Sequence, residues 1–214
     1  IKNPPNQIMT IGNTPLESSE EIADGFATYF QSVYSKQCSK SVLTENTESA
    51  IPYTLAVNLI TESEYKDAIR NLKSKRSSGP DGIPQYIYKA CSELLMDPLR
   101  KIYNLVLRTN KFPHKWKLTR VCPIFKSGVI NKVENYRPVA ILSTPAKILE
   151  HILHRLIFNH VKSYITNRQH GFVPNRSTST NLINFTHDLY NSFSSRHPKH
   201  AVYIDFAKAF DKIK

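Results

Sequence analysis

Residues 201–211 read Ala-Val-Tyr-Ile-Asp-Phe-Ala-Lys-Ala-Phe-Asp. Four apolar residues climb to Asp205, and an aromatic and a second carboxylate, Asp211, follow at fixed offsets. The run fits a buried β-strand and puts Asp205 at its carboxyl end, where strands present chemistry. A carboxylate there serves either as a hard-oxygen ligand for a cation such as Mg²⁺ or as a turn residue. Whatever Asp205 works with must come from upstream, or is missing.

Upstream lie the elements that would position such a group. Arg120-Val121-Cys122-Pro123-Ile124-Phe125-Lys126 is strand-like, Ser127-Gly128 makes a turn, and Asn135-Tyr136-Arg137-Pro138-Val139-Ala140-Ile141-Leu142 is the returning strand. The result is a β-hairpin with basic residues at both flanks. Ser77-Ser78-Gly79-Pro80-Asp81-Gly82-Ile83-Pro84 is a sharp break, since its Gly and Pro residues impose turns. Residues 1 to 15 read as a linker. Ser18 with Glu21, and Thr61 with Glu64, form capping boxes ahead of helical runs. Residues 36 to 58 have little period and read as a loop. A helix is expected over 85 to 95, and Asp97-Pro98 reads as an N-cap with Pro in the first helical position of a helix reaching about Asn110. Thr144-Pro145 opens a long helix. The segment from Gln169 to Thr178 feeds another, with Leu182, Phe185, Leu189 and Phe193 on one stripe.

Lys and Arg number 29 against 17 Asp and Glu, a net charge of +12. Such an excess favours a polyanionic partner through counterion release. Nucleic acid comes ahead of an anionic membrane surface, because no basic amphipathic helix with a clean apolar face stands out. No stretch approaches the ~20 apolar residues of a membrane span. Cys38, Cys91 and Cys122 are far apart and odd in number, which argues against a zinc site or a disulfide framework and for a reducing compartment. The start, Ile1-Lys2-Asn3-Pro4-Pro5, has neither an initiator Met nor an apolar signal segment. The chain reads as a piece of a longer polypeptide.

Singly these features are bland; their order is not. The blocks Ser78–Pro84, Pro123–Gly128, Asn135–Ser143, Gln169–Thr178 and Asp205–Asp211 resemble, in sequence order, the reverse transcriptases of non-LTR retrotransposons, most closely the jockey-like elements of animals. The resemblance covers roughly residues 60 to 214 and, more loosely, the helix from 18. It implies an α+β fold: a mostly helical fingers subdomain with a β-hairpin, plus the first strand of a right-hand polymerase palm. The expected divisions are 1–60 as linker and helical extension, 61–200 as fingers and start of the palm, and 201–214 as the first palm strand.

The resemblance also implies RNA-directed DNA polymerase chemistry, joining a dNTP to a primer 3′-hydroxyl on an RNA template with two Mg²⁺ ions, or Mn²⁺ in their place. Asp205 matches the first catalytic Asp, and the backbone carbonyl of Phe206 its companion metal ligand. Phe210 matches the steric gate under the sugar, although core packing accounts for it equally well. Asp211 belongs to the motif without being assigned a metal. Lys126 and Arg137 match the residues that grip the incoming phosphates. Arg120 is an extra contact with template or phosphate. Arg176 and Gly171 fall in the block resembling the template-cradling loop. Residues 78 to 82 shape the fingers or touch the template, with the shaping role preferred. Partners would be RNA template, DNA primer and dNTP, with no membrane, in the nucleus and cytoplasm.

One departure matters. The family completes its metal site with an Asp-Asp pair, and none occurs in these 214 residues. One carboxylate does not hold two Mg²⁺ ions against water, so the chain alone is expected to be inactive. The alternatives are a non-catalytic, nucleic-acid-binding remnant or domesticated piece, and a degenerate product that hardly folds. A palm strand without its neighbours would remain an exposed edge.

Overall fold

The computed structural model describes residues 8–33 and 59–206. The loop read over 36 to 58, Cys38, Phe210 and Asp211 lie outside them. Helices dominate, with two small antiparallel sheets, so the α+β expectation holds. The described residues divide into two compact units, one running to His154 and one from Arg155 to Phe206.

The first unit opens with β1 (Met9–Ile11) and β2 (Thr14–Leu16), paired in register Met9↔Leu16 and Ile11↔Thr14. Gly12, at φ 58°, supplies the positive dihedral that this two-residue loop requires. Residues 9–16 are therefore a packed hairpin and not the linker expected there. Thr10 N–H donates to the Asn131 carbonyl (2.8 Å) and Gly12 N–H to Glu134 Oε1 (2.7 Å). These bonds join the hairpin to a segment more than a hundred residues away, which local composition does not reveal. Two backbone donors hold the Glu134 carboxyl below the usual range: the Gly12 N–H first, then the N–H of Glu134 itself.

Helix α1 (Ser19–Val33) starts at the expected box, with Glu21 N–H donating to Ser18 Oγ at 3.1 Å. It buries Phe26 and Phe30 against Val133, with Met9, Ile11, Leu16 and Tyr136 around them. Helix α2 (Glu62–Asn71) has the complete Thr61–Glu64 box. It buries Tyr65, Ala68 and Ile69, while Ile60 N–H donates to Asn104 Oδ1 (2.6 Å).

Helices α3 (Gln85–Ala90) and α4 (Ser92–Thr109) break at Cys91, and Pro98 lies inside α4. Asp97-Pro98 is thus not a helix start. Pro98 removes only the N–H that would reach the Leu94 carbonyl. Leu94 is 82% exposed, so water can serve that carbonyl, while Leu99 and Tyr103 are buried by continuing the helix. Asn110 then ends α4 in the left-handed region, at φ 56°.

After the short α5 (His114–Lys117), β3 (Thr119–Phe125) and β4 (Tyr136–Leu142) form the expected hairpin, from Thr119↔Leu142 to Phe125↔Tyr136. Pro123 faces Pro138. Neither has an N–H, so the pair sits where the ladder needs no bond. Lys126 N–H donating to the Asn135 carbonyl (2.8 Å) agrees with that alternation. Helix α6 (Thr144–Val161) begins one residue after β4 ends, and its first part buries Ala146, Ile148, Leu149 and Ile152.

The 77–84 segment is a tight turn closed by a Ser78↔Pro84 bridge, with Gly82 at φ 71°. Asp81 Oδ1 accepts from Ile83 N–H (3.2 Å), and Gly79 is buried. A Cβ on Gly79 would lie 2.5 Å from the Leu142 carbonyl oxygen and 2.8 Å from Ser143 Cα, so the turn rests on the junction of β4 and α6.

In the second unit, a 3-10 turn (Lys162–Tyr164) leads into a cross-braced loop and α7 (Thr178–Ser195), capped by Ser177 and Thr180. No residue of α7 is buried. Residues 201–206 carry no strand, and Val202 and Ile204 are 83% and 80% exposed. Among the described residues, 201–206, the expected palm strand is therefore not formed. An apolar run becomes a strand only when a neighbour takes its ladder bonds, and none among the described residues does.

Two stability outcomes follow. Tyr103 is wholly buried and its hydroxyl donates to the Pro145 carbonyl (2.9 Å), fastening α4 to α6. Tyr103→Phe should cost about 1 kcal/mol, read as a lower midpoint in calorimetry; an unchanged midpoint would show that this bond contributes nothing. Gly79→Ala should cost about 1–3 kcal/mol through overpacking on rigid backbone. Gly171→Ala, whose Cβ would meet only Gln169 Nε2 at 3.6 Å, should stay within about 0.5 kcal/mol. Equal effects of the two alanines would contradict the packing described.

Candidate functional site

Register decides what the hairpin presents. Side chains alternate along a strand, and Arg120 faces Ile141 while Ile124 faces Arg137. Arg120, Cys122, Ile124 and Lys126 therefore share one face with Arg137, Val139 and Ile141. Three of the expected site cations, Arg120, Lys126 and Arg137, are exposed on the same side of one short sheet. The opposite face carries Phe125 and Tyr136. Tyr136 meets Phe26 edge-on at 5.0 Å between ring centroids, and Phe125 at 5.6 Å. The aromatic side thus anchors the hairpin, and the basic side is left outward.

The three cations differ in what they already do. Arg120 Nη2 donates to the Ser78 carbonyl at 2.5 Å, so it braces the turn against β3. Lys126 and Arg137 have no side-chain hydrogen bond or ion pair among the described residues. They are charges held on a stiff element with their donors free, which suits a phosphate ligand.

The 78–82 turn behaves as scaffold: its Gly79 is pressed on backbone, and Asp81 is engaged by Ile83 N–H and, at 3.5 Å, by the Tyr88 hydroxyl. Burial first, then Asp81, pushes the Tyr88 phenol up to about 12.

Sequence reading missed a basic group beside this turn. Gln85, buried within α3, has its amide between the Lys73 carbonyl and Lys147 Nζ; assigned so that both are satisfied, its nitrogen donates to the first (3.1 Å) and its oxygen accepts from the second (3.2 Å). Lys147 stands fourth in α6. Burial lowers its ammonium pKa, and repulsion from Lys75 and Lys73 lowers it further. The only local signal was a lysine in a helix whose first turn lacks an acid.

In the second unit, Arg176 is spent on its own loop. Its Nη1 donates to the carbonyls of Thr166 (2.8 Å) and Gln169 (2.6 Å), and its Nη2 to Asn167 Oδ1 (3.2 Å). This is a bracing geometry. The Gly171 carbonyl accepts from Gln169 Nε2 (3.0 Å), and Gly171 has no positive φ, so nothing in the loop itself demands glycine. His170, also missed, links loop to helix: Nδ1 meets Thr180 Oγ1 at 2.8 Å and Nε2 meets Asn184 Nδ2 at 3.1 Å. Because the Thr180 hydroxyl donates to the Ser177 carbonyl (2.9 Å), it accepts from His170 Nδ1–H, leaving Nε2 to accept from Asn184.

Asp205 and Phe206 are exposed in the segment without regular structure. Among the described residues no group of three or more His, Cys, Asp or Glu could hold a metal ion. A lone exposed carboxylate does not meet the oxygen count that Mg²⁺ requires, and the sequence has no Asp-Asp pair to add. The described residues therefore do not fit a divalent-metal site. No helix among the described residues is long and apolar enough to cross a membrane.

Comparison with known proteins places these features. Residues 124–214 match the family model described as reverse transcriptase (RNA-dependent DNA polymerase). The chain is 30% identical over 216 residues to the probable RNA-directed DNA polymerase from transposon BS of Drosophila melanogaster, covering 94% of this chain and 23% of that protein. It is 27% identical over 204 residues to the RNA-directed DNA polymerase from mobile element jockey of the same species, covering 94% and 22%. With a 149 kDa protein of transposon TX1 from Xenopus laevis it shares 23% over 208 residues, covering 94% and 16%. The chain spans less than a quarter of the length of these relatives. The family model and the relatives matched over 94% of this chain agree: the chain belongs to the reverse transcriptases of jockey-like non-LTR retrotransposons.

Proposed function

We propose that the chain forms the fingers, and the start of the palm, of an RNA-directed DNA polymerase that extends a primer 3′-hydroxyl with dNTPs on an RNA template. The observation that supports this most is the outward face of the β3–β4 hairpin. Lys126 and Arg137 stand there with free donors, on a sheet anchored from behind by Tyr136 and Phe26. In this reading Arg137 makes the planar, forked contact to a triphosphate oxygen and Lys126 a point-charge contact. Arg120 serves indirectly, by holding the 78–82 turn against the hairpin. Arg176 and Gly171 belong to a template-facing loop whose shape Arg176 sets through its three acceptors.

Asp205 is the carboxylate this chain contributes to the catalytic centre, with the Phe206 carbonyl as its companion and Phe210 in the role of sugar gate. The two Mg²⁺ ions, or Mn²⁺, that such chemistry uses need carboxylates these residues do not supply. RNA template, DNA primer and dNTP are the partners.

The test is primer extension on an RNA template with the complete element-encoded polymerase. Asp205→Ala should abolish incorporation, and retained incorporation would overturn its assignment. Arg137→Ala should raise KM for dNTP by about 10-fold, the scale of one charged hydrogen bond, with little change in template affinity. A loss confined to template affinity would remove Arg137 from the nucleotide site. The 214 residues alone should incorporate nothing.

A further inference from the structure

Beside the 77–84 turn, the main chain of Lys73 and Lys75 runs next to α3, and Gln85 of α3 also reaches the Lys147 ammonium. Lys73 and Lys75 lie exposed just past the end of α2, and Lys147 lies half-buried in the first part of α6. The arrangement is built, not incidental. Gln85, only 7% exposed, lies between the Lys73 carbonyl and the Lys147 ammonium, and the amide orientation that satisfies both puts its nitrogen 3.1 Å from the first and its oxygen 3.2 Å from the second. The Tyr86 N–H fixes the next turn of chain by donating to the Lys75 carbonyl (3.2 Å).

Electrostatically the arrangement is unfavourable as it stands. Lys147 loses hydration on burial and is repelled by both other lysines. It sits near the positive pole of α6, whose first turn has no acidic residue. Glu150, one turn on, is the acid that acts on it, but the two form no ion pair among the described residues, and burial pushes the Glu150 carboxyl up, toward its neutral form. Removing any of these charges would relieve the folded state. A polyanion would relieve it equally well.

We infer that Lys73, Lys75 and Lys147 form a phosphate-binding cluster for the backbone of a nucleic acid, separate from the Lys126–Arg137 hairpin face. Lysines offer point charges without the planar fork that selects one phosphate geometry. Two of them are exposed beside a rigid turn, as sequence-independent tracking of a strand requires. The inference rests on the polymerase reading only for the expectation that RNA is bound at all.

The experiment is fluorescence anisotropy of a fluorescein-labelled single-stranded RNA with this chain across a salt series. For K73Q/K75Q/K147Q we expect binding weaker by at least about 10-fold, and a log–log salt slope shallower by about 2, as three lost phosphate contacts to a single strand give. K101Q, an exposed lysine on α4, should change affinity less than about 2-fold, and K147R should bind like the parent. Gln at 147 can still pair with Gln85, so the triple variant should keep or raise its thermal midpoint; a fall would make these lysines structural and overturn the proposal. If the parent binds RNA with a steep salt slope and the triple variant binds identically, the cluster is wrong while the polymerase reading stands. If the parent shows no salt-sensitive binding, the template-binding part of that reading fails with it. Inorganic triphosphate that displaces RNA from the parent, but not from the triple variant, would assign the cluster to a nucleotide and overturn the backbone assignment.

Discussion

The absence of one methyl group organises the first unit. With a Cβ on Gly79 2.5 Å from the Leu142 carbonyl, only glycine lets the 77–84 turn lie flat on the end of β4. From that contact the rest follows. Ser78 comes within reach of Arg120, the 73–75 segment comes beside α6, and Gln85 is buried between Lys73 and Lys147. A glycine that looks like punctuation in the sequence is the point where two basic groups, one on the hairpin and one at the start of α6, are fixed to a common scaffold.

The hairpin solves a different problem. A two-stranded sheet is marginal alone in water, and this one depends on Tyr136 and Phe125 packing toward the α1 core. Committing one face to aromatic packing leaves the other for Arg120, Lys126 and Arg137. Their common orientation is a consequence of register, since a slip of one residue would turn the cations on one strand to the opposite side.

Local chemistry was legible in the sequence and long-range chemistry was not. The two capping boxes, the hairpin and the long helix from Thr144 are encoded within a few residues each, and all form. Pro98 misled because its cost depends on whether the freed carbonyl meets water, which only the fold decides. Residues 9–16 misled because the bonds that hold the hairpin in place, from Thr10 and Gly12, go to Asn131 and Glu134. The run ending at Asp205 reads as a strand by composition, but strands are made by neighbours, and the described residues hold none for it. Among site residues, the identities of Lys126, Arg137 and Asp205 came from motif order. The bracing role of Arg176 and the gathering of Lys73, Lys75 and Lys147 required three-dimensional contacts.

The central claim is that the basic residues gathered around the 77–84 turn and the hairpin are where this chain meets phosphate. Amine acetylation footprinting read by mass spectrometry tests it most directly, by comparing each lysine with and without primed RNA template and dNTP. Protection of Lys73, Lys75 and Lys147 by the nucleic acid, with Lys126 shielded further when dNTP is added, is the expected pattern. Unchanged labelling at those four positions, with protection at Lys101, Lys115 or Lys117 instead, would contradict the account.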